Sequence, residues 1–124
     1  GLGISLPFEA GINPYTTPEL GFEFHYFFTR KYWFLYFCKA MVICPGGFGT
    51  LDELFETLTL RQTGKITKNI PTVLFGTKYW NSILNLDVMV DWGVISPEDP
   101  DLMVITDSID EAFEVIVSGL KAGL

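Results

Sequence analysis

The sequence predicts an α/β fold with a mainly parallel sheet, on three observations. Short apolar runs alternate with longer segments of helical periodicity, and Gly and Pro mark the boundaries between them. The runs at residues 40–44 and 71–76 are also continuously apolar rather than alternating. Such a run marks a strand covered on both faces, as in a sheet flanked by helices. Taken in order, residues 4–6 form a short strand that stops at Pro7, and residues 11–18, with Asn13-Pro14 and Thr17-Pro18, form a loop. Residues 22–28 are dominated by aromatics with no cap before them, which predicts a strand. Residues 30–39 predict a helix with so few polar positions that it should be largely buried.

The strand at 40–44 is broken by Pro45-Gly46-Gly47-Phe48-Gly49. A helix follows over residues 50–62, with Leu51, Leu54, Phe55 and Leu58 spaced as one apolar stripe and Gly64 as its C-terminal stop. Residues 71–76 predict a buried strand, 78–90 a helix, 96–100 a turn and 102–105 a last strand. Ser108 opens the final helix with a capping box to Glu111.

Composition agrees with one globular domain. The chain has 124 residues, 48% of them hydrophobic and 19% charged, which excludes intrinsic disorder. The densest apolar stretch, residues 32–38, is far shorter than the roughly 20 residues a membrane span needs. No signal peptide is visible, since the first residues have neither a basic nor a long apolar region and read like the lead-in to a strand. The net charge of −7 is uneven: residues 1–78 carry 7 basic and 6 acidic side chains, and residues 79–124 carry 1 and 9. Without clustered Lys and Arg, a nucleic-acid polymer is not an expected partner. The acidic tail reads as a solvated face, whereas a small anion suits the nearly neutral first part.

Cys38 and Cys44 have neither zinc-knuckle nor CxxC spacing, so they are expected to be reduced, buried thiols of a cytosolic protein. His25 has no second His with which to build a metal site and is expected to be a structural His.

In parallel α/β sheets, ligands bind at the carboxyl ends of strands, against the start of the next helix. The corner Pro45-Gly46-Gly47-Phe48-Gly49-Thr50-Leu51-Asp52-Glu53 is such a place. Its glycines permit positive φ and close approach of backbone amides, and a helix N-terminus attracts a phosphate to which Thr50 could also donate. The pattern is neither GxxxxGK[ST] nor GxGxxG. A second reading stands beside this one: Thr50 and Glu53 form a capping box and the glycines a tight turn. Asp52 and Glu53 favour the helix dipole but oppose a phosphate, which suits a site needing a carboxylate next to one. Arg30-Lys31, at the junction from the aromatic strand into its helix, supplies a cationic pair that suits phosphate or ribose oxygens, or alternatively a surface salt bridge.

Together, Arg30-Lys31 and the PGGxGTxxE run at residues 45–53 resemble the Lonely Guy family of phosphoribohydrolases, many of which are labelled lysine decarboxylases. The similarity continues through residues 54–62, the Pro71 strand, Tyr79-Trp80 and the stretch Gly93, Ile95, Ser96, Pro97. It implies a Rossmann-like three-layer domain. The chain would join it at a mid-domain strand, so residues 1–124 would be its C-terminal portion, incomplete at the N-terminal side and prone to associate. It also implies hydrolysis of the N-glycosidic bond of a nucleoside 5′-monophosphate, a cytokinin riboside monophosphate or AMP, to free base and ribose 5-phosphate. No metal or organic cofactor is implied.

By match to the motif, Arg30 and Glu53 would be the catalytic pair. Gly46, Gly47, Gly49 and Thr50 would cradle the 5′-phosphate, with Lys31, Asp52, Thr59 and Glu9 at the substrate. Dimers are the family habit, and the aromatic helix at 30–39 is a candidate surface for association. Pyridoxal-dependent decarboxylation does not fit, because no Lys sits at the glycine corner. The rival reading is a nucleotide-binding module of the same fold without catalysis.

Overall fold

In the computed structural model of the chain, which describes residues 1–8 and 11–123, every strand pairing is parallel. The α/β expectation holds. The chain forms two compact units, Gly1–Cys38 and Lys39–Leu124.

In the first unit, β1 (Leu2–Ile4) pairs with β2 (Phe22–Phe24), Leu2 opposite Phe22 and Ile4 opposite Phe24. Helix α1 (Phe27–Phe37) follows. The aromatic run expected as one strand thus stops at Phe24, and its second half is the first turn of α1. Aromatic content favours a half-buried pleated surface without excluding a helix, and here the helix wins. The strand expected at 4–6 lies two residues earlier.

Burial of α1 also differs from expectation. Leu35 is its one buried residue among those described, whereas Phe27, Phe28, Tyr32, Trp33, Tyr36 and Phe37 are exposed. These rings cover one another instead: Tyr32 stacks on Tyr36 at 5.7 Å and Trp33 on Phe37 at 5.5 Å. The i, i+4 spacing of both pairs places them on neighbouring turns. His25, expected to be structural, is exposed in the turn before α1.

The second unit is a three-stranded sheet in the order β3 (Met41–Ile43), β4 (Thr72–Phe75), β5 (Val104–Thr106). The register sets Ile43 opposite Leu74 and Leu74 opposite Ile105. Its connecting helices are α2 (Phe48–Gln62), α3 (Thr77–Ile83) and α4 (Leu86–Asp91), and α5 (Ile109–Ala122) closes the chain. The continuous apolar run at 71–76 behaves as predicted: Thr72, Val73 and Leu74 are buried on both faces of β4. Leu54, Ile70 and Trp80 complete a core from which water is excluded, and the Trp80 indole donates to Phe75 O at 3.1 Å.

The single helix expected over 78–90 is two. Leu84 turns extended, and the Asn85 side chain accepts from the Val88 amide at 3.2 Å, restarting the helix as an N-cap. The last strand begins at Val104 because Asp99–Leu102 forms a 3₁₀ turn. At α5, Ser108 accepts from the Glu111 amide as expected, but Glu111 does not reach back. Thr106 Oγ1 accepts from the Ser108 amide at 2.9 Å and donates to the Glu111 carboxylate. Gly64 ends α2 at φ +67° as foreseen. Of the two cysteines, Cys38 is half-buried and Cys44, just past the end of β3, is exposed, so the expectation of two buried thiols fails.

Candidate active site at the glycine corner

Helix α2 begins two residues earlier than its sequence pattern suggests. Its N-cap is Gly47, no side chain caps it, and Leu51 N bonds to Gly47 O at 3.0 Å as the first helical link. Thr50 is therefore the third residue of the helix rather than its cap, and the capping-box reading of Thr50 and Glu53 is not realised. The amides of the first turn keep their donors directed out of the helix end. Asp52 and Glu53 fall in the second turn, so the conflict between acids and a phosphate at the helix end is weaker than it looked from spacing.

The three glycines do not use the positive φ that their residue type permits. In the described backbone, positive φ occurs at Gly11, Gly64, Gly76 and Gly93. Gly46 is required for space, because a Cβ there would lie 2.1 Å from Thr50 Oγ1 and 2.7 Å from Thr50 Cβ. At Gly47 and Gly49 a Cβ would meet no protein atom within 4 Å. Neither packing nor backbone conformation demands glycine at those two positions. What their lack of a side chain provides is bare backbone facing outward at an uncapped helix start.

Glu53 stands one turn further along α2, four residues after Gly49 and three after Thr50, and so on their face of the helix. It is half-buried, with its Oε2 shielded from solvent. Five residues separate it from Phe48, about 7.5 Å along the axis. Thr57 fixes this stretch, donating to Glu53 O at 2.8 Å while it lies buried with its hydroxyl 3.8 Å from Met41 Sδ of β3. Glu56, which the sequence reading did not single out, continues the Glu53 face and is also half-buried. Its signal was the i, i+3 spacing from Glu53.

The remaining candidates are distributed differently. Thr59 is six residues past Glu53, about 120° around the axis. It lines a cavity of about 130 Å³ with Phe55, Leu58, Leu86, Met89 and Leu102. Asp52 is exposed on the same side as Thr59. Arg30 and Lys31 are half-buried within α1, whose start at Phe27 places them inside the helix rather than at a strand-to-helix junction. Glu9 lies outside the described residues.

Neighbouring loops at the carboxyl ends of the strands support the corner. Gly76, at φ +112°, lets Pro45 pack against it, since a Cβ there would be 3.0 Å from Pro45 Cγ. The Tyr79 hydroxyl donates to Gly46 O. Asp107, from the loop after β5, accepts from the Thr77 amide at 2.8 Å and from the Thr77 hydroxyl. These two bonds hold the Asp107 carboxyl below its ordinary pKa. In α2, Arg61 donates to Thr72 Oγ1 at 3.2 Å and to Leu102 O, and burial lowers its pKa from the usual value. The described residues contain no group of three or more His, Cys, Asp or Glu placed to hold a metal ion. No described helix is long and apolar enough to cross a membrane.

In parallel α/β sheets, a glycine-rich strand-to-helix corner with an uncapped helix start is a place where backbone amides can meet an anionic ligand. This chain has such a corner between β3 and α2. The family described as "Possible lysine decarboxylase" matches residues 1–116, and the chain belongs to that family. The resemblance to the Lonely Guy proteins is borne out by its curated relatives. Over 74 residues it is 39% identical to the cytokinin riboside 5'-monophosphate phosphoribohydrolase LOG1 of Arabidopsis thaliana, a match covering 58% of this chain and 34% of that protein. Over 78 residues it is 33% identical to the cytokinin riboside 5'-monophosphate phosphoribohydrolase of Mycobacterium tuberculosis, covering 59% of this chain and 39% of that protein. The match thus spans little more than a third of the length of these relatives.

Proposed function

We propose that this chain hydrolyses the N-glycosidic bond of a nucleoside 5′-monophosphate, a cytokinin riboside monophosphate or AMP, in the cytoplasm. The observation that carries the reading is the bare backbone of Gly47 and Gly49 at an uncapped helix start, with a shielded carboxylate, Glu53, one turn from Gly49 on its face of α2. The names of the relatives support the substrate class.

In this reading the amides at Gly47 and Gly49, with the Thr50 hydroxyl, hold the 5′-phosphate, and the space at Gly46 lets Thr50 fold over the loop. Cleavage builds positive charge at C1′. The Glu53 carboxylate stabilises that charge and orients a water molecule. The water oxygen bonds to C1′ as the C1′–N bond breaks; Glu53 accepts the proton the water loses, and that proton passes to the departing base nitrogen. By the resemblance, Arg30 is the second member of the catalytic pair, its guanidinium supplying positive charge for an anionic substrate. Lys31, Asp52, Thr59 and Glu9 complete the substrate contacts. Asp52 and Thr59 share their side of α2 with exposed Phe48 and Phe55, the side on which a second copy would pack in a homodimer or higher oligomer.

Glu53→Gln tests the role of the carboxylate, since it preserves shape while removing charge. AMP should still bind within about threefold, while base release falls at least about a hundredfold. Unchanged turnover in Glu53→Gln would remove Glu53 from the chemistry. Binding of AMP without any base release by the unsubstituted chain would favour a nucleotide-binding module instead.

A further inference from the structure

The bond from the Tyr79 hydroxyl to the Gly46 carbonyl assigns a residue to the phosphate grip that lies outside the glycine motif. In a trans peptide the C=O and N–H point in opposite directions. Fixing the Gly46 carbonyl toward Tyr79 therefore fixes the Gly47 N–H away from it, at a residue where an added Cβ would meet nothing within 4 Å. A Gly-Gly peptide has little steric resistance to flipping, so this orientation needs an outside partner.

Tyr79 is itself firmly held. Its amide bonds to Gly76 O at 3.1 Å, and its ring meets the Trp80 ring edge-on at 5.1 Å. Trp80 is fully buried, and Thr77 of the same turn is clamped by Asp107. Pro45 packed on Gly76 closes the other side of the joint.

We propose that Tyr79 is a positioning residue that locks the Gly46–Gly47 peptide with its amide directed at the ligand's phosphate. The inference rests on the reading of the glycine corner given above, and its test separates the two. Tyr79→Phe removes the hydroxyl and retains the ring. In NMR hydrogen exchange without any ligand, the Gly47 amide should exchange at least several-fold faster in the variant. In titrations with inorganic phosphate and AMP, affinity should fall about tenfold while adenosine affinity stays unchanged. In turnover of AMP, KM should rise with kcat within about twofold.

A fluorinated tyrosine at position 79 is the second variant. It keeps the ring and the hydroxyl but loses its proton at lower pH, so its phosphate affinity relative to the parent's, compared at each pH to cancel the titration of phosphate itself, should fall with rising pH. Unchanged Gly47 exchange and unchanged phosphate affinity in Tyr79→Phe would overturn the proposal. If the parent bound no phosphate while Tyr79→Phe still sped Gly47 exchange, the latch would stand and the phosphate reading would fall.

Discussion

Thr50 lies directly over Gly46, so close that a Cβ on Gly46 would fall 2.1 Å from the Thr50 hydroxyl oxygen. This contact explains one glycine of the corner by packing and leaves the other two to be explained by something outside the protein. Gly46→Ala should therefore destabilise the fold by about 1–3 kcal/mol. Part of that loss should be recovered when Thr50→Gly is added, as a double-mutant cycle in urea would show.

Gly47→Ala and Gly49→Ala should behave in the opposite way. Both sites are open, and Gly49 is inside the first turn of α2, where Ala is the better helix former by about 0.5–1 kcal/mol. Stability should hold or rise in Gly49→Ala and fall by no more than about 1 kcal/mol in Gly47→Ala, where Ala is the poorer N-cap. Phosphate affinity should fall about tenfold or more in both, measured by calorimetric titration. Affinity retained in both variants would mean that the bare backbone is not a ligand surface.

The Asp107 clamp predicts a pH effect. Its carboxyl titrates below the ordinary value of about 3.9 because Thr77 donates two hydrogen bonds to the charged form. A depressed pKa gives stability that is fully present above the ordinary value and lost as pH falls through the folded-state value. Asp107→Asn should thus be less stable than the parent at neutral pH. The difference should close below about pH 4. Parallel denaturation curves at all pH values would contradict this.

Gly119 sits in the last turn of α5 against Pro71, the residue that leads into β4, where a Cβ would come within 2.7 Å of Pro71 Cβ and 2.8 Å of its Cγ. The proline ring cannot swing aside. Gly119→Ala should cost about 1–3 kcal/mol despite the better helix propensity of Ala, read from the denaturation midpoint.

Legibility in the sequence followed local physics. The strands at 40–44 and 71–76, the stop at Gly64 and the Ser108 cap are set by neighbours in the chain and were readable. Cover on both faces held for β4 and not for β3, where Met41 and Ile43 are buried and Val42 between them is exposed. The aromatic segment at 22–28 was not, because rings suit a strand or a helix and packing decides. The break at Asn85 was hidden by apolar residues that continue the helical period on both sides. At the corner, the spacing singled out the glycine turn after β3 but misplaced the helix start by two residues, and with it the reading of Thr50 as a cap. Tyr79 and Asp107 were beyond reach, since the contact from residue 79 to residue 46 exists only once β3 and β4 are adjacent.

A corner that grips the 5′-phosphate so that Glu53 can cleave the glycosidic bond beyond it makes base release depend on that phosphate. The most direct measurement of that dependence compares base release from AMP and a cytokinin riboside monophosphate with release from the same nucleosides lacking the phosphate. The account predicts free base and ribose 5-phosphate in equal amounts from the monophosphates, and at least about a hundredfold less from the nucleosides. Equal rates with and without the phosphate, or tight binding of the monophosphates with no base released, would contradict it.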